Sequence, residues 1–125
     1  MQQFEANAPE EPEGSVRLDA WVESNDNGSE VVVVVTPEGE TKLVADPGIT
    51  VTPASRAGVD WRSPLPYRLV DVERDYLDPP ATARIPFNAQ DDQPLQLLVE
   101  YAYCVVDYQC FFGEEELTVA NATPG

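Results

Sequence analysis

The sequence of 125 residues contains no histidine, and this absence removes much of the chemistry open to a small domain. Histidine is the usual general base near neutral pH and the commonest metal ligand. A serine or cysteine hydrolase with a histidine base is thereby excluded within the chain, and two cysteines without histidine do not make a closed zinc site. Basic residues are scarce as well: 7 Lys and Arg stand against 23 Asp and Glu, a formal net charge of −16. A field of that sign repels phosphate backbones and anionic lipid surfaces, so nucleic acid is not expected as a partner. The acidity otherwise reads as solubility, adaptation to salt, or attraction for a basic partner. No apolar run approaches the length of a membrane span, so direct membrane insertion of this segment is not expected. Met1-Gln2-Gln3 lacks the basic start and apolar stretch of a signal peptide.

Helical periodicity is also missing, since no stretch repeats apolar residues every 3.6 positions over three turns. What is present is strand signal, punctuated by 12 prolines and 7 glycines. Val16, Leu18 and Ala20 alternate with Arg17 and Asp19, the pattern of a half-buried strand over 16–22. After a turn at Asn25-Asp26-Asn27-Gly28-Ser29 come the consecutive valines 31–35, a β-branched run that suggests burial on both faces. Pro37-Glu38-Gly39-Glu40 reads as a turn, 41–45 as a strand, Asp46-Pro47-Gly48 as a break, and 49–52 as a short strand. Residues 53–66 read as irregular, 67–72 as extended, and 75–80 as loop because of Pro79-Pro80. Residues 82–88 form a strand in which Pro86 implies an edge or a bulge.

The clearest strand is 95–104, with Leu95, Leu97, Val99, Tyr101 and Tyr103 on one face and Gln96, Leu98, Glu100, Ala102 and Cys104 on the other. Residues 105–109 read as a loop and 115–120 as the last strand. Short strands between Pro, Gly and Asn turns make an all-β, antiparallel β-sandwich. One domain over 15–121 is expected, with linker at 1–14 and 122–125, as in a module cut from a larger chain.

Cys104 and Cys110 stand on either side of Val-Val-Asp-Tyr-Gln. Across a hairpin their Cα atoms could fall within the ~4.4–6.8 Å that a disulfide usually spans. Three readings stay open on spacing alone: a structural disulfide, a redox pair, and two unrelated thiols. As a staple the pair would contribute on the order of 2 kcal/mol, because closing a short loop removes little unfolded-state entropy. The charges written around it, Asp107 and Glu114-Glu115-Glu116, disfavour a thiolate. Folding could bring Arg62, Arg68, Arg74 or Arg84 close and reverse that. No cofactor is expected. Acidic pairs are too abundant for a glycosidase pair to stand out. Asn25-Asp26-Asn27-Gly28 lacks the spaced glutamate of a calcium loop.

The run Val99-Glu100-Tyr101-Ala102-Tyr103-Cys104, continuing to Cys110-Phe111, resembles the active hairpin of the N-terminal domain of DsbD-type thiol:disulfide interchange proteins. Tyr101 matches that family's tyrosine three residues before the first cysteine, Cys104 and Cys110 match its cysteines, and Glu116-Leu117-Thr118-Val119 matches its returning strand. Phe111-Phe112-Gly113 replaces the proline-rich stretch usual after the second cysteine, and no glycine lies between the cysteines.

The resemblance implies an immunoglobulin-like sandwich in a periplasmic or otherwise extracytoplasmic setting. Its catalytic pair would be Cys104 and Cys110, taking electrons from a thioredoxin-like domain and passing them to client proteins. It implies further that Cys110 is the exchanging sulfur and Cys104 the resolving one, and that a shielding loop falls at Asp75-Tyr76-Leu77-Asp78. Tyr76, with Tyr101, is the candidate cap. The alternative is a non-catalytic immunoglobulin-like interaction or spacer module with a structural disulfide, within a larger secreted protein.

Overall fold

The computed structural model describes residues 15–26, 28–54, 58–91, 93–105 and 109–121. The expected linkers at 1–14 and 122–125 lie outside the described residues. The described chain is all-β: β1 (Ser15–Asn25), β2 (Gly28–Glu38), β3 (Thr41–Leu43), β4 (Ile49–Pro53), β5 (Val59–Trp61), β6 (Tyr67–Leu69), β7 (Ala81–Ala89), β8 (Leu95–Val105) and β9 (Gln109–Val119). These strands form two antiparallel sheets packed as a sandwich, and no helix occurs among the described residues.

The first sheet has the order β1-β2-β7-β5. The β1–β2 hairpin closes at Asn25↔Gly28 and holds register back to Ser15↔Glu38. Gly28 has φ 130°, a conformation glycine supplies without a Cβ penalty. The valine run behaves as its composition suggests. Val31, Val33 and Val35 point into the core, and Val32 is equally buried although it lies on the other face. Its cross-strand neighbours there are Trp21 and Arg84.

In the second sheet β8 is central. One of its edges carries β9 along the full length, from Leu95↔Val119 to Val105↔Gln109. The other carries β4 opposite Leu97 to Tyr101 and β3 opposite Tyr103 to Val105, with β6 outside β4. Between those two pairings β8 advances from Ala102 to Tyr101 while its neighbour runs from Val44 to Ile49. Ala45, Asp46, Pro47 and Gly48 are therefore extruded from the ladder, at the break the sequence marks. Gly48 has φ 79°, and a Cβ there would collide with the Leu69 carbonyl oxygen.

The core lies between the sheets, with Val31, Val33, Ile85 and Phe87 on one side and Leu43, Val51, Leu97 and Val99 on the other. Full burial of each such side chain is worth ~1.5–3 kcal/mol.

Two expectations are corrected and a third, an edge or a bulge at Pro86, is narrowed to the edge. The stretch 53–66 is not wholly irregular, because Val59–Trp61 pairs with the end of β7 and stacks Trp61 on Phe87 at 5.3 Å between ring centroids. The strand expected over 67–72 stops at Leu69, where β4 offers no further partner. Pro86 makes no bulge, for the register runs unbroken from Ser29↔Phe87 through Glu30↔Pro86 to Val31↔Ile85. Its carbonyl accepts from the Arg62 amide at 2.9 Å, just past the end of β5. The nitrogen that cannot donate thus faces the end of that ladder, where the loss is least.

Candidate functional site

Cys104 is the last residue but one of β8 and Cys110 the second of β9, and the two are directly opposite in register. They are joined by a disulfide with S–S 2.03 Å and a Cα–Cα distance of 3.9 Å, closer than the ~4.4–6.8 Å usual for such pairs. The loop expected over 105–109 is shorter than the spacing suggests, since Val105 and Gln109 still pair. Val106, Asp107 and Tyr108 lie outside the described residues.

The pair sits on the outer face of the second sheet, away from the shared core. Paired residues in an antiparallel ladder share a face, so register builds the site in two rows. Lys42, Cys104 and Cys110 make one row across β3, β8 and β9. Tyr76, Val44, Ala102 and Phe112 make the next. Burial within the rows is unequal. Cys104 is 3% exposed, whereas Cys110 is exposed and Phe112 is 84% exposed.

Tyr76 reaches this face because residues 71–77 are stitched to the free edge of β3. The Asp71 amide donates to the Ala45 carbonyl at 2.9 Å, the Ala45 amide to Asp75 at 3.0 Å, and the Leu77 amide to Leu43 at 2.9 Å. Arg74 and Asp78 form a two-pronged ion pair at 2.7 and 2.8 Å across the segment. Each is strengthened in its charged form by the other: hydrogen bonding and charge raise the Arg74 pKa and lower that of Asp78. Val44, Tyr76, Ala102, Cys104, Cys110 and Phe112 line one mostly apolar cavity of about 340 Å³, which Pro47, Asp75 and Phe111 complete.

Of the residues singled out from sequence, Cys104, Cys110 and Tyr76 are brought together. Tyr101 is not. It lies on the opposite, core-facing side of β8, because residues one and three apart from a cysteine point the other way in a strand. Its ring lies over Gly113, its partner in β9, where an added Cβ would come within 2.7 Å of the ring. Tyr103 packs 5.9 Å from it, and Phe111 lies 5.5 Å beyond Tyr103. Burial, then the charge of Glu115 and the neighbouring Tyr103, push the Tyr101 phenol above its ordinary value.

None of the arginines Arg62, Arg68, Arg74 or Arg84 lines the disulfide cavity. The cation in the cysteine row is Lys42, whose Nζ lies 5.1 Å from the centroid of the Tyr76 ring. Sequence reasoning passed over it. The available signal was that it is the single lysine of the chain. Among the described residues no group of three or more His, Cys, Asp or Glu side chains could hold a metal ion. Comparison with protein-family models, with curated proteins and with solved structures found no match to this chain.

Proposed function

We propose that the domain is a thiol:disulfide interchange module, of the kind its hairpin resembles in the DsbD N-terminal domain, with an immunoglobulin-like topology and an extracytoplasmic site of action. The observation that carries this reading is the unequal access of the two cysteines in one apolar cavity: Cys104 is 3% exposed, while Cys110 is exposed in the cavity that Tyr76 and Phe112 also line. Exchange needs the attacking thiolate to approach a sulfur in line with the sulfur–sulfur bond, so access selects the sulfur that is attacked.

A thiolate of a thioredoxin-like partner bonds to the Cys110 sulfur. The Cys104–Cys110 bond breaks and its electron pair leaves with Cys104, which then takes a proton from water. The partner's second thiolate attacks the partner's own sulfur in the mixed disulfide and releases Cys110. The partner ends oxidised, and this pair ends as a dithiol carrying two electrons. The same dithiol then reduces a client disulfide by the reverse steps. Tyr76, which lines the same cavity, is the cap in this reading.

The test offers Cys104→Ser and Cys110→Ser separately to a thioredoxin-like protein that has lost its own resolving cysteine. Under oxidising conditions Cys104→Ser should accumulate the mixed disulfide through Cys110. Equal trapping by both variants would overturn the assignment. The second reading, a structural staple within a larger secreted protein, draws on the burial of Cys104 and on the attachment of edge strand β9 to β8. A pair potential well below about −300 mV, where structural bonds resist reduction, would favour it.

A further inference from the structure

We propose that Lys42 is a positioning residue for opening of the disulfide, its charge acting through Cys104 to stabilise the sulfur that departs. The inference rests on the interchange reading above, in which attack falls on Cys110.

Attack on Cys110 expels Cys104 as a thiolate, and its residue is 3% exposed. Burial disfavours a thiolate, and a thiol of high pKa leaves slowly. The chain as a whole makes this worse, with a net charge of −16. Among the described residues, the charged and titratable groups facing Cys104 come from three elements: Lys42 from β3, Cys110 from β9, and Asp75 and Tyr76 from the segment stitched to β3. Lys42 alone among them is cationic. Arg74, next to Asp75 in sequence, is held by Asp78.

Register fixes the placement of Lys42. Leu43 and Thr41 are buried on the core side, so Lys42 points outward on the same face as Cys104, which it directly opposes. Directly opposed residues have Cβ atoms ~4.5–5.5 Å apart. The ammonium lies 5.1 Å from the centroid of the Tyr76 ring, a ring that lines the cavity, while the lysine itself is exposed. A lysine at this position therefore supplies a positive charge directly opposite the residue on which the reaction develops a negative one, and because the lysine is exposed the attraction is open to screening by salt.

As the partner thiolate bonds to Cys110 and the electron pair of the broken bond passes to Cys104, the ammonium neutralises the new charge. The proton that later reaches Cys104 comes from solvent, and Lys42 stays protonated throughout.

The test measures reduction of the full chain's disulfide by dithiothreitol, which reads this inference whichever protein partner exists. Lys42→Gln should slow reduction about three- to tenfold, the effect of raising a leaving thiol's pKa by about one unit. Lys42→Arg should stay within about twofold of the parent, because it keeps the charge. High salt should narrow the gap between parent and Lys42→Gln. In the Cys110→Ser background, the ultraviolet titration of the Cys104 thiolate should move up by about one pH unit on Lys42→Gln and little on Lys42→Arg.

Equal rates for parent and Lys42→Gln would overturn the proposal. So would slowing by Lys42→Arg equal to that by Lys42→Gln, which would show that the charge is not what acts. Failure of the trapping experiment with a thioredoxin-like protein would remove the interchange reading while leaving the dithiothreitol result as the measure of Lys42.

Discussion

On the outer face of the β1-β2-β7-β5 sheet, Val32 is buried between its own cross-strand neighbours Trp21 and Arg84. On the outer face of the β8 sheet, Ala102 and Cys104 are buried beside a segment, residues 71–77, brought in from elsewhere in the chain. The first cover consists of side chains already in the ladder and held by ion pairs: Arg84 reaches Glu23 at 2.9 Å and Glu30 at 3.3 Å. The second is made of backbone hydrogen bonds to β3 and a tyrosine ring, and it leaves an open cavity beside a disulfide. Both sheets meet the same core. The difference shows where the fold devotes extra chain to a sheet face that needs none for its core, and that face is the one carrying the cysteines.

The largest expected effect tests the shared part. Phe87 is fully buried in the core and stacked on Trp61. Phe87→Ala should cost about 3–5 kcal/mol in denaturant unfolding, the sum of lost transfer energy and a residual cavity. Probes on the two outer faces, Trp21 fluorescence and protection of the amides bonded to residues 71–77, should lose structure in one transition. A segment 71–77 that melts well before Trp21 reports would show that the second cover is an independent unit and sharpen the contrast.

A smaller effect is expected on the cysteine side. Replacing both cysteines by alanine opens a loop set by a sequence separation of 6, and the loop-entropy model gives a cost of about 2 kcal/mol. β9 keeps its ladder to β8 from Leu95↔Val119 onward, so the fold should survive. A loss well above that of Phe87→Ala would show that the disulfide anchors the face, and would weigh for the staple reading.

The two faces were unequally legible in the sequence. The inner faces follow from alternation: 95, 97 and 99 were read on one side of β8, and all three are core. The valine run was readable because β-branched residues in series allow few other structures. The sequence does not show β5 and does not mark the end of β6, because three residues carry no period and only their partners β7 and β4 define them.

At the site, the cysteines and Tyr76 are accessible through spacing and loop order, and Phe112 through its place two residues beyond Cys110, whereas Lys42 and Val44 are not. Lys42 and Val44 join the cysteines through the pairing of β3 with β8, strands far apart in the chain, and the extruded residues 45–48 shift that register within a single edge of β8. Tyr101 joins the candidate site only through the resemblance, and the alternation legible in 95–104 already puts it on the other face from Cys104.

The smallest expected effect concerns the other outer face. The Trp21 indole N–H donates to Glu23 at 2.9 Å, and Arg84 donates to the other carboxylate oxygen at 2.9 Å. Together they hold the Glu23 carboxyl below its ordinary value of 4.5, the indole contributing most and Arg84 next. Because the folded value is the lower one, the unfolded chain binds the proton first as pH falls. The stabilisation is therefore complete above the ordinary carboxylate value and is lost as pH drops through it toward the folded value. Trp21→Phe keeps a ring over Val32 and removes only the donor. The Glu23 titration, followed by the NMR shift of its carboxyl carbon, should move upward toward the ordinary value. The gap in thermal stability between parent and variant should be present near neutral pH and shrink in acid. An unmoved Glu23 midpoint would mean that Arg84 alone sets it. The cover over Val32 would then depend on the ion pairs and not on the indole.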